Sequence, residues 1–235
     1  MKRSDDSLSI ILPVFNEGKN IEGVINEIFR QIPQYIEEFE VILVNDGSID
    51  NTQAVVNGIK EHFFNLKVIS HGKNKGYGAA IRSGIQAAVN YWVLIMDADG
   101  QFRISDLKGI WEARDGNDFI LGFRRRREDN LYRSFMGRSG NTAASLLLKR
   151  RIFDINCGFK LFKKKDLQGL KLNSTGGIIS FEILYKLLNS GKKKFRQMPV
   201  NHYKRGHGRQ TGGAVKTITR IIYEGAKVVI NKRDY

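Results

Sequence analysis

The run Val93-Leu94-Ile95-Met96 is wholly apolar and ends abruptly in Asp97-Ala98-Asp99-Gly100-Gln101. An apolar run of this length fits a strand buried on both faces, the pattern of parallel sheets covered by helices. The charges then fall at the carboxyl end of that strand, the edge where open α/β sheets bind ligands. Asp97 and Asp99 are two residues apart, so an extended backbone points both the same way. Clustered carboxylates repel unless a cation screens them. Hard oxygen ligands of this kind suit Mg²⁺ or Mn²⁺ carrying substrate phosphates, although acidic turns also cap strands with no metal at all.

The chain before this point alternates regularly. Leu8–Val14 predicts a first strand, and the helical spacing of Ile21, Val24, Ile25 and Ile28 predicts a helix after it. Glu40–Val44 predicts a second strand, followed by a helix carrying Val55, Val56 and Ile59, with Asp50 or Asn51 as its cap. Leu66–Ser70 is a third strand, Gly72–Gly78 a basic glycine-rich loop, and Ala79–Asn90 a third helix leading into a strand at Tyr91–Met96. Four strands alternating with three helices imply an α/β fold with a mainly parallel central sheet flanked by helices and right-handed crossovers.

Beyond residue 100 the alternation loosens. Asp118–Gly122 predicts a strand, Arg124–Arg127 a basic run, and a helix passes through Phe135, Ala143, Ala144 and Leu146–Leu148. Asp154–Lys165 reads as an exposed turn and a short strand, and Phe181–Leu188 as a helix with Glu182 off its apolar face. Lys194–Tyr203 is a last strand, and the loop to Gly213 is basic. From Gly212, six apolar residues at helical spacing with interspersed Lys and Arg predict a basic amphipathic helix, either packed on the same domain or interfacial at an anionic bilayer. The expected division is a catalytic domain at 1–211 and that helix at 212–235.

With 39 Lys+Arg against 24 Asp+Glu, the net charge of +15 favours anionic partners: nucleic acid, an anionic membrane surface or phosphorylated molecules. One cysteine, Cys157, excludes an internal disulfide framework and fits a reducing compartment. The N-terminus lacks the apolar core of a signal peptide, and no stretch of about 18 apolar residues predicts a spanning helix. The expectation is therefore a cytoplasmic protein, with any membrane contact peripheral.

Several strand ends carry motifs in a familiar order. Pro13-Val14-Phe15-Asn16-Glu17, Val44-Asn45-Asp46-Gly47-Ser48, Asn74-Lys75-Gly76-Tyr77-Gly78 through Gly84, and Asp97-Ala98-Asp99-Gly100-Gln101 together resemble the family 2 inverting glycosyltransferases of the GT-A fold. Asp154-Ile155-Asn156-Cys157-Gly158-Phe159-Lys160 extends the resemblance toward its polyprenyl-phosphate branch, which includes dolichol-phosphate mannose synthase. The resemblance implies transfer of a hexose from a GDP- or UDP-sugar to a polyprenyl phosphate, with Mg²⁺ or Mn²⁺ bridging the diphosphate. Asp97, Asp99 and the amide oxygen of Gln101 are then the metal candidates, with Asp99 the foremost ligand and Asp97 at the metal or the ribose. Pro13, Asn16, Glu17, Asp46, Lys75 and Gly76 would line the nucleotide-sugar site. Asn45 stands where the family commonly has Asp.

On the acceptor side the resemblance assigns phosphate contacts to Arg124, Arg133, Arg205 and Arg209, arginine being suited to phosphate by its planar fork. Gly137 replaces a common Ser, and Gln210 and Thr211 replace the usual Ser-Lys of the loop containing Arg205. A lipid phosphate is already ionised at neutral pH and needs no strong base, whereas a hydroxyl acceptor requires one. In the second case Asp154 is the candidate catalytic base; its other role is to bind nearby backbone or arginine. The competing readings are a family 2 transferase acting on a glycan or other hydroxyl, and a basic nucleic-acid-binding protein. The basic residues cluster beside carboxylates instead of alternating with aromatics, so no nucleic acid is expected. The absence of spanning helices, which many relatives carry after the catalytic domain, makes a small membrane subunit a further candidate partner.

Overall fold

A computed structural model describes residues 5–125, 131–192, 194–207 and 228, with residues 131–139 described by their backbone alone. The first half runs β1 (Ser7–Val14), α1 (Ile21–Gln31), β2 (Glu38–Asn45), α2 (Thr52–Lys60), β3 (Leu66–Ser70), α3 (Tyr77–Ala87) and β4 (Trp92–Met96). The second half adds α4 (Leu107–Glu112), β5 (Phe119–Arg124), α5 (Leu131–Leu148), β6 (Phe159–Lys163), α6 (Lys164–Gln168), α7 (Ile179–Asn189) and β7 (Phe195–Val200).

Seven strands form one sheet in the order β3-β2-β1-β4-β6-β5-β7. All pairings are parallel except those of β6, which runs antiparallel between β4 and β5. Strands Leu8–Val14 and Val93–Met96 are buried on both faces because helices cover each side. The α1, α2 and α4 side chains pack with Leu8, Ile10 and Leu12 on one face, and α3 and α7 with Ile11, Val93 and Ile95 on the other. Each fully buried Ile or Leu contributes roughly 1.5–3 kcal/mol. Alternating apolar residues facing opposite layers therefore fix the register. Gly84 of α3 meets Ile11, and a β-carbon there would overlap the Ile11 side chain, so the missing side chain sets how closely α3 approaches the sheet.

The expected alternation and mainly parallel sheet are present, with corrections in the second half. Lys164 and Lys165, expected to end the strand, instead open the helix α6, and α4 has no counterpart in the sequence expectation. The turn at Asp154 is not exposed: Asp154, Ile155 and Cys157 are all buried, because β6 enters the sheet interior instead of lying at an edge. Glu182 is likewise buried, although it lies off the apolar stripe of α7.

β1 connects to β2 and β3 on one side and pairs with β4 on the other, so the chain order reverses between β1 and β4. That reversal is the switch point where ligands bind in open α/β sheets. The β1–β4 pairing ends at Ile11 and Ile95. Pro13, which has no N–H to donate, lies beyond that last pair, where the strands diverge. Among the described residues, no helix is long and apolar enough to cross a membrane. Arg133 by its side chain, Arg209 and the segment 212–235 apart from Val228 lie outside the described residues.

Candidate active site

The carboxyl ends of β1, β2, β4, β5 and β7 and the start of β6 meet at one edge of the sheet. Asn16, after β1, has a left-handed backbone (φ 57°), a conformation that Asn tolerates. Its N–H donates to Ser48 Oγ at 2.9 Å, and its Oδ1 accepts the Ile49 N–H at 2.9 Å. Glu17 N–H donates to Thr52 Oγ1, and Asp50 Oδ1 accepts the Thr52 N–H, both at 2.9 Å; Asn51 holds the N-cap position of α2 without a side-chain bond, and Asp50 supplies one from the residue before it. These bonds lock the β1 and β2 loops together before any ligand is considered.

Asp46 is buried, and both its oxygens are occupied. Oδ1 accepts the Lys75 N–H at 2.9 Å and faces His71 Nδ1 at 2.6 Å, and Oδ2 accepts the Gly76 N–H at 2.8 Å. This carboxylate shapes the glycine-rich loop. Gly76 needs its left-handed φ of 96°, and a β-carbon there would overlap the Thr175 carbonyl oxygen. Gly78 N–H donates to that same carbonyl at 2.7 Å. The Lys75 side chain is exposed beside the loop.

Asp97 follows β4 directly. Tyr77 Oη donates to its Oδ1 at 2.7 Å, and its own N–H donates to the Gly158 carbonyl at 3.0 Å. Asp99 Oδ1 accepts the Gln101 N–H at 3.0 Å, and Oδ2 lies 3.3 Å from Arg205. Arg205 also pairs with Glu17 Oε1 and donates from Nε to the His207 carbonyl at 2.7 Å. One guanidinium thus joins the carboxylates that follow β1 and β4. Burial, and secondarily the Asp97 charge, push the Asp99 carboxyl up to about 6 despite Arg205. Burial also raises Glu17. The site therefore holds more buried negative charge than Arg205 neutralises.

Among the described residues, no group of three or more His, Cys, Asp or Glu is arranged to hold a metal. The fit of a divalent cation rests instead on the oxygens of Asp97 and Asp99, whose half-buried anionic charge favours one. Gln101 is buried, and its Nε2 donates to the Tyr203 carbonyl at 3.0 Å while its main-chain carbonyl accepts the Tyr203 N–H at 2.9 Å. It fastens the segment after β7 to the acidic loop and so places Arg205.

The second arginine site is built on Asp154. Arg124, at the end of β5, donates from Nε to Oδ2 at 2.6 Å and from Nη2 to Oδ1 at 2.9 Å. Both Asp154 oxygens are engaged by the arginine, the arginine-binding role expected beside that of a base. The turn from Asp154 to Gly158 links this pair to Asp97. Two further charged groups escaped sequence reading because neither sits on an expected surface. Lys160, fully buried in β6, donates to the Cys157 carbonyl and lies 3.3 Å from Ser180 Oγ; burial lowers its pKa. Glu182 accepts the Asn173 and Ser174 N–H groups at 2.9 and 2.8 Å, holding the segment that covers the glycine-rich loop. Lys160 could have been suspected because its apolar neighbours leave no room for a surface strand.

The family model for glycosyl transferase family 2 matches residues 9–170. A dolichyl-phosphate beta-glucosyltransferase, ALG5D, of Trichomonas vaginalis is 31% identical over 184 residues, covering 71% of this chain and 56% of that protein. A dodecaprenyl-phosphate galacturonate synthase of Rhizobium johnstonii is 26% identical over 224 residues, covering 92% of this chain and 64% of that protein. The chain thus spans 56% and 64% of these relatives' lengths. Among solved structures, glucosyl-3-phosphoglycerate synthase of Mycobacterium tuberculosis in complex with Mn²⁺, UDP and glucosyl-3-phosphoglycerate superimposes with a TM-score of 0.71 at 18% identity, over 95% of this chain and 78% of that one. Mannosyl-3-phosphoglycerate synthase of Rubrobacter xylanophilus gives 0.73 at 18%, over 96% and 73%. At this identity the structural likeness bears on the fold.

Proposed function

The chain belongs to glycosyl transferase family 2, and from that premise we propose that it transfers a hexose from a GDP- or UDP-sugar to a polyprenyl or dolichyl phosphate, with inversion at the anomeric carbon. The observation that carries this reading is the Asp97–Asp99 pair at the switch point, with the Asp99 carboxyl pushed up to about 6 by burial. A divalent cation held by these carboxylates would supply charge to the leaving diphosphate. The Mn²⁺ and UDP of the glucosyl-3-phosphoglycerate synthase structure support that assignment.

The residues of this chain have separable tasks in that reaction. Pro13, Asn16 and Glu17 border the nucleotide at the end of β1, and the Asp46-braced loop brings Lys75 and Gly76 toward its phosphates. Tyr77 and Gly158 orient Asp97. Arg205, tied to Asp99, lies where negative charge develops on the diphosphate and stabilises it there. Arg124, oriented by Asp154, binds the acceptor phosphate; its bidentate pairing leaves the guanidinium with one defined direction. The acceptor oxygen then attacks in line from the face opposite the leaving group. Because a phosphate is already ionised, no side chain must remove its proton. The engagement of both Asp154 oxygens by Arg124 favours this acceptor over a hydroxyl, and the polyprenyl-phosphate chemistry named for both relatives points the same way.

Incubating the protein with labelled UDP- and GDP-sugars and a short polyprenyl phosphate tests the reading. With Mg²⁺ or Mn²⁺, label passes into the lipid phase from one donor, and chelation abolishes it. Retained transfer in chelator, or donor binding with no lipid labelled, contradicts the metal or the acceptor assignment respectively.

A further inference from the structure

The end of α5 and its return to β6 form an unusual corner. Leu146 is 74% exposed, Leu147 46% and Phe153 44%, and between them Lys149, Arg150 and Arg151 are exposed as well. The segment 146–153 contains no acidic residue. Its exposure does not come from a loose loop. Ser145 Oγ accepts the Ile152 N–H at 3.0 Å, Asn141 Nδ2 donates to the Phe153 carbonyl at 2.7 Å, and Gln197 Oε1 accepts the Phe153 N–H at 2.8 Å. Lys149 makes the reversal with a left-handed backbone (φ 51°). The Arg151 guanidinium lies over the Phe153 ring at 5.2 Å, and that ring meets Phe123 edge-on at 5.2 Å, next to Arg124.

Rigidly displayed Leu and Phe side chains among three cations match a bilayer with anionic headgroups: the apolar groups enter the acyl boundary and the cations stay at the phosphates. We propose that this corner docks the protein on an anionic lipid leaflet, with Arg124 behind it facing the membrane surface. The inference rests on the polyprenyl-phosphate reading, since such an acceptor presents its phosphate at that depth. A second copy of the chain fits poorly, because a two-fold contact here would set three cations against three.

Flotation of the full chain with phosphatidylcholine vesicles, with and without phosphatidylglycerol, tests the proposal. The wild type is expected on the anionic vesicles, released by salt. The apolar variant Leu146→Ser/Leu147→Ser/Phe153→Ser and the charge variant Lys149→Gln/Arg150→Gln/Arg151→Gln should each bind about 10-fold more weakly. Both should transfer sugar to a short water-soluble polyprenyl phosphate at the wild-type rate and lose transfer to a long acceptor embedded in vesicles. Should the apolar variant unfold, the charge variant, altered only at exposed positions, decides. Wild-type-like flotation of the charge variant overturns the proposal, as does failure of the wild type to bind anionic vesicles, or binding to RNA in place of them. Flotation needs no turnover, so loss of all transfer activity with docking intact would refute the enzymatic reading and leave this surface standing.

Discussion

Gly158 packs directly against Asp97: a β-carbon at position 158 would overlap the Asp97 carboxylate. With Tyr77 donating to Oδ1 at 2.7 Å, the carboxylate is gripped between the start of β6 and the first turn of α3. Gly158→Ala should therefore displace Asp97 and lower sugar transfer by about 100-fold, since small misplacements at a reacting centre are costly. The overpacking should cost about 1–3 kcal/mol of stability. Steady-state kinetics and thermal unfolding measure both; wild-type kcat in this variant would show that Asp97 need not be held in place.

Removing only the hydroxyl is a milder test. Tyr77→Phe deletes one hydrogen bond to a charged acceptor, worth roughly 1.5–3 kcal/mol. Burial and the Asp97 charge keep the Tyr77 hydroxyl protonated far above neutral pH, so its loss should act at all working pH values. The expected result is about a 10-fold rise in the Mn²⁺ or Mg²⁺ concentration needed for half-maximal activity, with the fold intact. An unchanged metal titration would remove Tyr77 from the site.

The raised Asp99 carboxyl makes a prediction about stability. Its folded pKa of about 6 exceeds its ordinary 3.8, so the folded chain holds the proton more tightly than the unfolded chain. Its favourable contribution is complete below the ordinary value and is lost as pH rises through about 6. The shift corresponds to on the order of 2–3 kcal/mol. In chelator, Asp99→Asn should thus be more stable than wild type at pH about 7.5 and lose that advantage at pH about 4.5. Urea unfolding of both proteins at the two pH values measures this, and a pH-independent difference would contradict it.

Arg124 and Asp154 should behave as a unit. Losing one partner of a buried pair leaves an uncompensated charge, worth about 3–5 kcal/mol. Arg124→Gln and Asp154→Asn should each weaken acceptor binding, with the double variant little worse than Arg124→Gln alone. A base at Asp154 would instead give a fall of several orders in kcat for Asp154→Asn, with Arg124→Gln adding to it. The acceptor KM and kcat of the three variants separate these outcomes.

The first half of the fold was legible because its signals are local: apolar runs of one strand, helical spacing, polar strand ends. Residues 7–96 follow that alternation with boundaries shifted by a few positions. The insertion of antiparallel β6 between β4 and β5 was not legible, since strand order is a matter of long-range pairing. From that one fact followed the misreading of the turn before β6. Asp154, placed at an exposed turn by its polar neighbours, is buried because the following strand enters the sheet. Lys160 is buried with it, its ammonium satisfied by a backbone carbonyl that no motif reveals. Asp46 was found by its motif, but its three loop contacts depend on how the segment 71–76 folds back. Arg205 was assigned by resemblance to phosphate; its ties to Glu17 and Asp99 exist only once β7 has been placed beside β5.

A lipid phosphate bound at Arg124 as acceptor can be set against a hydroxyl in one experiment, by offering the enzyme, with its metal and its donor sugar, equal amounts of a short polyprenyl phosphate and of the corresponding polyprenol. Label should appear on the phosphate alone and be lost in Arg124→Gln while donor binding persists. Label on the polyprenol, or on a glycan hydroxyl while the phosphate stays unlabelled, would overturn the lipid-phosphate acceptor and return Asp154 to the role of base.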